Sequence, residues 1–595
     1  MRFKSKVVGG FRVFAVAGTN TVSFGISASV AAKEKLLGFG VKRGPKGKQL
    51  ITMRGFKVFK TIIPKPNEKT EVSTFDHPVQ SFVWDDFNAQ PDTAYDYEFH
   101  PLRGTPANLD RTAPPIPIRI RTEPLFSTEE HDVFFNRGVA SSQAYARKFE
   151  NKRPDKQPTL AKKEAALQWL TRELDDAAFK FIKQAKSGDQ LLCCFYEFRY
   201  RPIADLLKDA IDRGVDVRII VDAKVNEFTD KKGVFHKSFP REENMKMIDD
   251  AKIPMAKVKL REAKPNNIAH NKFMVLLTGP QRTPKEVWTG STNISLSGFS
   301  GQTNVGHWLR NATVAQKFRD YWELLRGDPG PKAGDSPSDV KHANADFRVD
   351  VEALFNVPTK IADVPKGVIP VFSPRSGSKV LDEYVSMVDT AHEFSCITLA
   401  FGINKAFKEQ LKDNTANSHL IFLLLERPDA PTKKNKATFV SINSTNNVYK
   451  ASGAFIRDPV YQFVKESYPK AMGIAQHVSY IHSKFLLMDP LSKDPIVVTG
   501  SANFSDDSTN DNDENMLIIR GVQRVADIYF TEFNRLFNHY YFRSVYEALK
   551  SANKASPDVS AFLAEDDSWL DKYKKGKLRA KRVNIYAKMD GFTTL

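Results

Sequence analysis

The chain has 595 residues, which is too long for a single compact core and predicts about three or four domains of usual size. Lysine and arginine number 88 against 70 aspartates and glutamates, so the formal net charge is +18. Such a positive field attracts phosphate-bearing partners, and both lipid head groups and nucleic acids fit it.

The same composition disfavours several classes of protein. Hydrophobic residues make up 41% of the chain, and no run approaches the roughly twenty apolar residues that span a bilayer. The three cysteines, Cys193, Cys194 and Cys396, cannot build a disulfide framework, and no Cys/His spacing predicts a zinc site. Arg12 interrupts the apolar stretch after the basic N-terminus, which disfavours a secretory signal. We therefore expect a cytoplasmic protein, with secretion as the less favoured alternative.

Short alternating segments dominate the N-terminal part of the chain. Segments such as FRVFAVAG, TVSFGISASV and PIPIRIR are separated by Gly, Pro, Asn and Asp. Regular short strands with such turn residues predict a β-sandwich over residues 1–125.

A helix followed by an apolar strand then recurs in the same order. Helical spacing over residues 162–185 precedes LLCCFYEF and VDVRIIVDA, and helical spacing over 380–391 precedes CITLAF and HLIFLLLE. A Gly- and Pro-rich stretch from Gly327 to Asp346 separates the two copies. This long-period duplication predicts two α/β lobes related by a pseudo-twofold axis, with mixed, mostly parallel sheets flanked by helices.

These patterns give four predicted segments. The β-sandwich is followed by lobe 1 over residues 126–345 and lobe 2 over 346–550. Residues 551–595 form a basic C-terminal tail, which is either a solvated segment or a ligand-binding arm.

Each predicted lobe contains the same pair of motifs. A His-x-Lys next to an apolar strand is followed by Gly-Ser-x-Asn after another strand. A single His-x-Lys is expected about once by chance in a chain of this size, but two ordered copies of both motifs are not. The motif residues are His270, Lys272, Ser291 and Asn293 in lobe 1, and His482, Lys484, Ser501 and Asn503 in lobe 2.

This duplicated pattern resembles the phospholipase D superfamily, in which the His-x-Lys motif ends in an aspartate. The second copy matches through Asp489, whereas the first has Leu277 at that position. The family aspartate secures its own lobe and does not attack phosphorus, so the resemblance implies asymmetry between the lobes. A non-catalytic scaffold remains an alternative.

The resemblance also implies a polar partner for each histidine, at the same distance beyond each Gly-Ser. These positions hold Asn304 and Glu514, so the two lobes differ. In relatives the pairing crosses the lobes, which implies that Glu514 supports His270 as nucleophile and Asn304 supports His482 as general acid. The reverse assignment of the histidines stays open.

The residue types suit cleavage of a phosphodiester. A neutral imidazole can attack phosphorus to form a covalent phosphohistidine, while the other imidazole protonates the leaving oxygen and then activates water or an alcohol. The lysines and asparagines of the motifs would hold the non-bridging oxygens. This chemistry requires no metal or other cofactor.

We therefore expect a phosphodiesterase with one central site, acting by hydrolysis or transfer. A phospholipid is the first substrate hypothesis, and peripheral contact with a membrane fits it. A metal-independent nuclease is the main alternative, because a basic cleft fits a polynucleotide equally well. The oligomeric state is open, since one chain suffices for one site.

Overall fold

The N-terminal residues form the predicted β-sandwich. The computed structural model describes residues 1–66, 70–138, 145, 148–150, 152, 154–230, 233–263, 267–400, 402–411, 419–426, 447–452, 481–551 and 562–588. The strands of the N-terminal region are β1 Arg2–Lys4, β2 Phe11–Ala17, β3 Val22–Ala28, β4 Gly38–Pro45, β5 Ile51–Thr52, β6 Arg54–Gly55, β7 Val58–Phe59, β8 Val72–Ser73, β9 Val83–Asp86, β10 Ala94–Thr105, β11 Asn108–Asp110 and β12 Ile116–Arg121. One sheet has the order β1-β2-β3-β9 and the other β11-β10-β4-β5, with β12 paired to β10. Phe11 and Phe24 from the first sheet pack with Phe39 and Tyr97 from the second in one buried core, as the alternation of apolar residues predicts.

The two predicted lobes each contain a seven-stranded sheet flanked by helices. Lobe 1 consists of β13 His131–Phe135, α1 Leu160–Thr171, α2 Leu174–Lys183, β14 Gln190–Phe195, α3 Arg201–Asp212, β15 Asp216–Asp222, β16 Phe228–Thr229, β17 Phe235–His236, α4 Arg241–Asp250, β18 Val258–Arg261, β19 Lys272–Thr278, β20 Thr283–Gly290, α5 Leu296–Ser300, β21 Val305–Leu309 and α6 Ala312–Arg326. Lobe 2 consists of α7 Pro337–Leu354, β22 Gly367–Ser373, α8 Lys379–Asp389, β23 Phe394–Leu399, α9 Lys405–Leu411, β24 Leu420–Leu425, β25 Val448–Ser452, β26 Phe485–Met488, β27 Ile496–Gly500, α10 Asp506–Asn510, β28 Glu514–Arg520 and α11 Gln523–Ser551.

The two sheets have the same topology, which confirms the duplication. Their strand orders are β13-β21-β20-β19-β14-β15-β18 and β22-β28-β27-β26-β23-β24-β25. The sheets are mixed, but the expectation that they are mostly parallel is wrong. In the described part of each sheet only the pairs made by the first two crossovers, such as β14 with β15 and β15 with β18, are parallel. The strands around the motifs are antiparallel because short connections such as that from Thr278 to Thr283 allow only a hairpin.

A shared apolar core lies between the two sheets. Alternate residues of β14 divide between two cores, with Leu192 and Cys194 facing the shared core and Leu191 and Cys193 facing the outer helices of lobe 1. Helices α6 and α11 contribute to the shared core, so each sheet is covered on both faces. In the described part of the chain, no helix is long and apolar enough to cross a membrane.

Part of the segment predicted as a basic tail is folded. Strand β29 Phe562–Leu563 pairs with β7, and helix α12 Leu578–Ala587 lies against β3. Trp569 is buried in the core of the sandwich, and the ring of Tyr586 lies within the core between the lobes. These two aromatic residues, spaced among the lysines, anchor the segment, and residues 552–561 and 589–595 lie outside the described part.

One buried carboxylate joins three parts of the molecule. Glu532 on α11 accepts ion-paired hydrogen bonds from Arg172 of lobe 1 at 2.9 Å and from Arg535 of its own helix at 2.8 Å. The hydroxyl of Thr21 in the sandwich donates to its other oxygen at 3.1 Å. The two guanidinium groups overcome the effect of burial and lower the pKa of Glu532 to about 2.

We predict that Glu532→Gln destabilises the protein by about 3 kcal/mol, because it leaves two buried guanidinium groups without their counter-charge. Because the folded pKa is depressed, this stabilisation is present above the ordinary pKa of glutamate and is lost as the pH falls toward 2. Urea unfolding measures the effect. The control is Glu323→Gln, which breaks the half-exposed pair with Arg326 and should cost less than about 1 kcal/mol; equal costs for the two variants would contradict the prediction.

Candidate active site

The two His-x-Lys motifs meet where the lobes touch. His270 lies two residues before the central strand β19, and His482 lies three residues before β26. The backbone N–H of His270 donates to the carbonyl of Asp513 in lobe 2 at 2.9 Å, and that of His482 donates to the carbonyl of Thr303 in lobe 1 at 3.2 Å. Each histidine is therefore held beside the strand of the opposite lobe that begins one or two residues later.

Each imidazole is hydrogen-bonded to a side chain of the opposite lobe. His270 Nδ1 lies 2.8 Å from Glu514 Oε1, and His482 Nδ1 lies 2.9 Å from Asn304 Oδ1. The amide Nδ2 of Asn304 donates to the carbonyl of Gly298, so its oxygen faces the ring and His482 carries its proton on Nδ1. His270 likewise donates Nδ1–H when Glu514 is ionised. In both rings Nε2 then carries no proton and is the basic nitrogen.

The Gly-Ser pairs hold these two partners in place. The hydroxyl of Ser501 donates to Glu514 Oε2 at 2.5 Å, and that of Ser291 donates to Asn304 Oδ1 at 2.8 Å. The preceding glycine is required because a Cβ there would lie 2.2 Å from a carbonyl oxygen of the adjacent strand in both lobes. Both serines thus contact the partner of an imidazole, and they orient the histidine of the opposite lobe indirectly.

Two further carboxylates position the motif backbones, and sequence reasoning missed them. Asp222 at the end of β15 accepts from the N–H of Ala269 at 2.8 Å, and Glu426 after β24 accepts from the N–H of Ile481 at 2.8 Å. Both therefore bind the residue before a motif histidine. The signal was present in the sequence, since both copies of this strand are followed by an acidic residue.

Both motif lysines are buried with their ammonium groups close to the histidines. Lys272 Nζ donates to the carbonyl of His270 and Lys484 Nζ to that of His482 at 2.7 Å. Within the described residues neither ammonium group has a carboxylate within ion-pair distance. Burial lowers the pKa of Lys272 to about 8, and burial together with Lys272 holds the pKa of Lys484 well below its ordinary value. Since a buried cation without a counter-ion is costly, the site favours an anion.

The electrostatics couple the two lobes into one site. Burial, followed by the ammonium groups of Lys272 and Lys484, holds the pKa of His270 well below its ordinary value. The same two lysines and His270 act with burial to lower the pKa of His482. Both imidazoles are therefore neutral at pH 7 when no anion is present. Among the described residues, no group of His, Cys, Asp and Glu side chains is arranged to hold a metal ion.

Glu514 is the titratable residue that distinguishes the two histidines. Burial raises its pKa to about 7, although Lys272, the hydroxyl of Ser501 and Lys484 oppose the rise. A carboxylate partner increases the basicity of an imidazole more than an amide does. The pairing of His270 with Glu514 therefore makes its Nε2 the more basic of the two when Glu514 is ionised.

The two motif asparagines differ in their surroundings. Asn293 Nδ2 donates to Glu197 Oε1 at 3.1 Å, and Glu197 is also paired with Arg199 at 2.9 Å. The Oδ1 atoms of Asn293 and Asn503 are both buried without a hydrogen-bond partner in the described part of the chain. Glu197 therefore orients one amide, and the matching residue of lobe 2, Phe401, lies outside the described residues.

Asp489 has a structural role that Leu277 cannot have. Its carboxylate accepts from the backbone N–H groups of His392, Glu393 and Phe394, which tie the end of β26 to the start of β23. In lobe 1 the carboxylate comes from the other strand, since Asp189 before β14 accepts from the N–H of Gly279 after β19 at 2.9 Å. The bond between the strands is thus kept in lobe 1 although its motif lacks the aspartate.

Comparisons with known proteins agree with this architecture. The model of the family described as cardiolipin synthase, PLD-like domain, matches residues 179–325 and 387–539, which contain both sets of motifs. No curated protein sequence matches the chain significantly.

Three solved structures are among those that the chain matches. A phosphatidylserine synthase from Haemophilus influenzae Rd KW20 is 14% identical, with a TM-score of 0.42 over 70% of this chain and 93% of that one. The yeast tyrosyl-DNA phosphodiesterase is 11% identical, with a TM-score of 0.28 over 56% of this chain and 83% of that one. A polyphosphate kinase from Porphyromonas gingivalis is 11% identical, with a TM-score of 0.36 over 58% of this chain, and the match spans only 42% of the kinase. On the match of the family model, which covers both lobes, the chain belongs to the phospholipase D superfamily.

Proposed function

We propose that the protein cleaves phosphodiesters by two successive displacements at phosphorus, through a covalent phosphohistidine. The observation that carries this proposal is the arrangement of two neutral imidazoles from different lobes beside two buried ammonium groups that have no carboxylate within ion-pair distance among the described residues. Such a site supplies a nucleophile, a proton donor and positive charge to a single phosphate group.

In the first step Nε2 of His270 attacks phosphorus and the bond to the leaving oxygen breaks. The carboxylate of Glu514 stabilises the positive charge that develops on the ring of His270. The negative charge of the entering phosphodiester offsets part of the charge of the two lysines and raises the pKa of His482. Its Nε2 then takes up a proton from solvent and donates it to the leaving oxygen. Because Asn304 carries no charge, it does not stabilise the imidazolium, so His482 releases this proton readily.

In the second step His482 accepts a proton from water or an alcohol, whose oxygen attacks phosphorus. The bond between phosphorus and His270 then breaks, and the free imidazole is restored.

The family model carries the name of cardiolipin synthase, whose product is a phospholipid, and this supports a phospholipid as substrate.

We predict a reaction intermediate that accumulates on His270 when His482 is replaced by asparagine. With bis(p-nitrophenyl) phosphate the leaving group needs no acid, so His482→Asn should release one nitrophenolate per chain in a burst and then stall. Mass spectrometry of the quenched protein, kept in EDTA throughout, should locate the nitrophenyl phosphate on the peptide with His270.

The matched control for this experiment is the double variant with His270→Asn. It should give neither the burst nor the labelled peptide. Label on no histidine, or an equal burst from the double variant, would refute the covalent route.

We also predict that turnover declines as the pH falls below about 7, because protonation of Glu514 removes the negative partner of His270. Glu514→Gln should lower kcat by roughly 10- to 100-fold and abolish this acidic limb of the pH profile. The control is Glu286→Gln, a buried carboxylate that binds Trp308 away from the motifs and should leave the limb in place. If the acidic limb of the pH profile persists unchanged in Glu514→Gln, the limb arises from another group and the prediction is wrong.

A further inference from the structure

A hairpin beside the active site exposes an unusual amount of apolar surface. Strands β16 and β17 pair between Val225 and Phe239, and the side chains of Phe228 and Phe235 are each 58% exposed. Three more apolar side chains of this segment are more than a third exposed, namely Val225, Val234 and Phe239. A contiguous group of this kind on a surface loop marks an interaction site.

Several polar groups of the hairpin are bonded within it. At its base the side chain of Asn226 bonds the N–H and carbonyl of Phe239 at 2.9 and 2.7 Å. Near its tip Asp230 accepts from the backbone N–H of Val234 at 2.9 Å. Because these backbone groups already have partners, they add little to the cost of placing the neighbouring apolar side chains in an apolar layer.

The base of the hairpin adjoins the catalytic histidine. The ring of Phe239 lies 6.4 Å from that of Tyr196, which lies 5.1 Å from the imidazole of His270. The guanidinium of Arg199 sits 5.5 Å above the ring of Phe239 and is paired with Glu197 and Glu243. Lys237 is 74% exposed and lies 3.8 Å from Glu242. Ion pairs thus border the apolar surface.

We propose that β16, β17 and the exposed apolar side chains beside them dock on an anionic phospholipid bilayer and thereby present head groups to His270. Exposed rings bordered by charged groups match a layer whose surface is polar and whose interior is apolar, and the net charge of +18 favours an anionic surface. That the presented lipid is cleaved rests on the function proposed above, whereas the docking itself does not.

The hairpin fits a bilayer better than a single-stranded nucleic acid. Two of its exposed residues are valines, which offer no ring on which a base could stack. The ring of Phe228 is already stacked on His236 at 4.6 Å, so one of its faces is occupied. A bilayer requires only apolar area, which both residue types supply.

Flotation with vesicles of phosphatidylglycerol and phosphatidylcholine tests the docking. The double variant Phe228→Ser/Phe235→Ser should lower the fraction of vesicle-bound protein at least about tenfold. The control Ile51→Ser/Val349→Ser removes two apolar side chains that are as exposed, at 59% and 64%, and should bind as the unaltered protein does.

Two readouts separate docking from catalysis. The hairpin variant should hydrolyse soluble bis(p-nitrophenyl) phosphate at the unaltered rate, and His270→Asn should lose that activity while still floating with vesicles. Equal flotation of the hairpin variant and the unaltered protein would overturn the proposal. The proposal would also be overturned if the hairpin variant lost binding to a single-stranded oligonucleotide but still bound the vesicles.

A fluorescence measurement keeps the test independent of folding defects. The native cysteines are buried, so an environment-sensitive dye can be attached selectively at Phe235→Cys. Its emission should shift to the blue on addition of the vesicles, whereas the same dye at Val349→Cys should not respond. An unchanged emission at the hairpin would contradict insertion.

Discussion

Two hydrogen bonds from imidazole rings cross the boundary between the lobes, from His270 to Glu514 and from His482 to Asn304. The site therefore requires both lobes, because each lobe contributes a histidine whose ring is oriented by a side chain of the other lobe. The remaining architecture keeps these bonds in register. The sheets share an apolar core, backbone bonds join the lobes beside each histidine, and Glu532 ties the last long helix to lobe 1 and to the sandwich. A small rotation of one lobe would separate both imidazoles from their partners at once.

The duplication makes the two lobes similar, and a few substitutions make their contributions to the site chemically different. Glu514 and Asn304 occupy equivalent positions, yet only the carboxylate can stabilise a positive imidazole. The motif of lobe 1 can have Leu277 in place of the aspartate because another residue joins the same two strands. Asp189, before the neighbouring strand, makes the bond that Asp489 makes in lobe 2. The hairpin after β15 extends the lobe 1 side of the site toward the surface.

Much of this organisation can be predicted from the sequence, because the signals are repeated. The paired motifs predict the two lobes, and counting from each Gly-Ser leads to Glu514 and Asn304. Strand direction was predicted less well, since apolar segments reveal a strand but not its partner. Asp222 and Glu426 are hard to assign from the sequence, because an acidic residue at the end of a strand is usually ordinary surface, and their shared role is evident only when the two copies are compared. Burial of Trp569 could not be foreseen in a segment whose composition is basic.

The central claim is that both imidazoles act on one phosphorus atom from opposite sides. A crystal structure of the protein with orthovanadate tests it most directly, since vanadate adopts the five-coordinate geometry of a phosphoryl group during displacement. We expect the vanadium in line between Nε2 of His270 and Nε2 of His482, with its equatorial oxygens at Lys272 and Lys484. Vanadate bound to one imidazole with the other ring turned away, or bound outside the lobe boundary, would contradict the account.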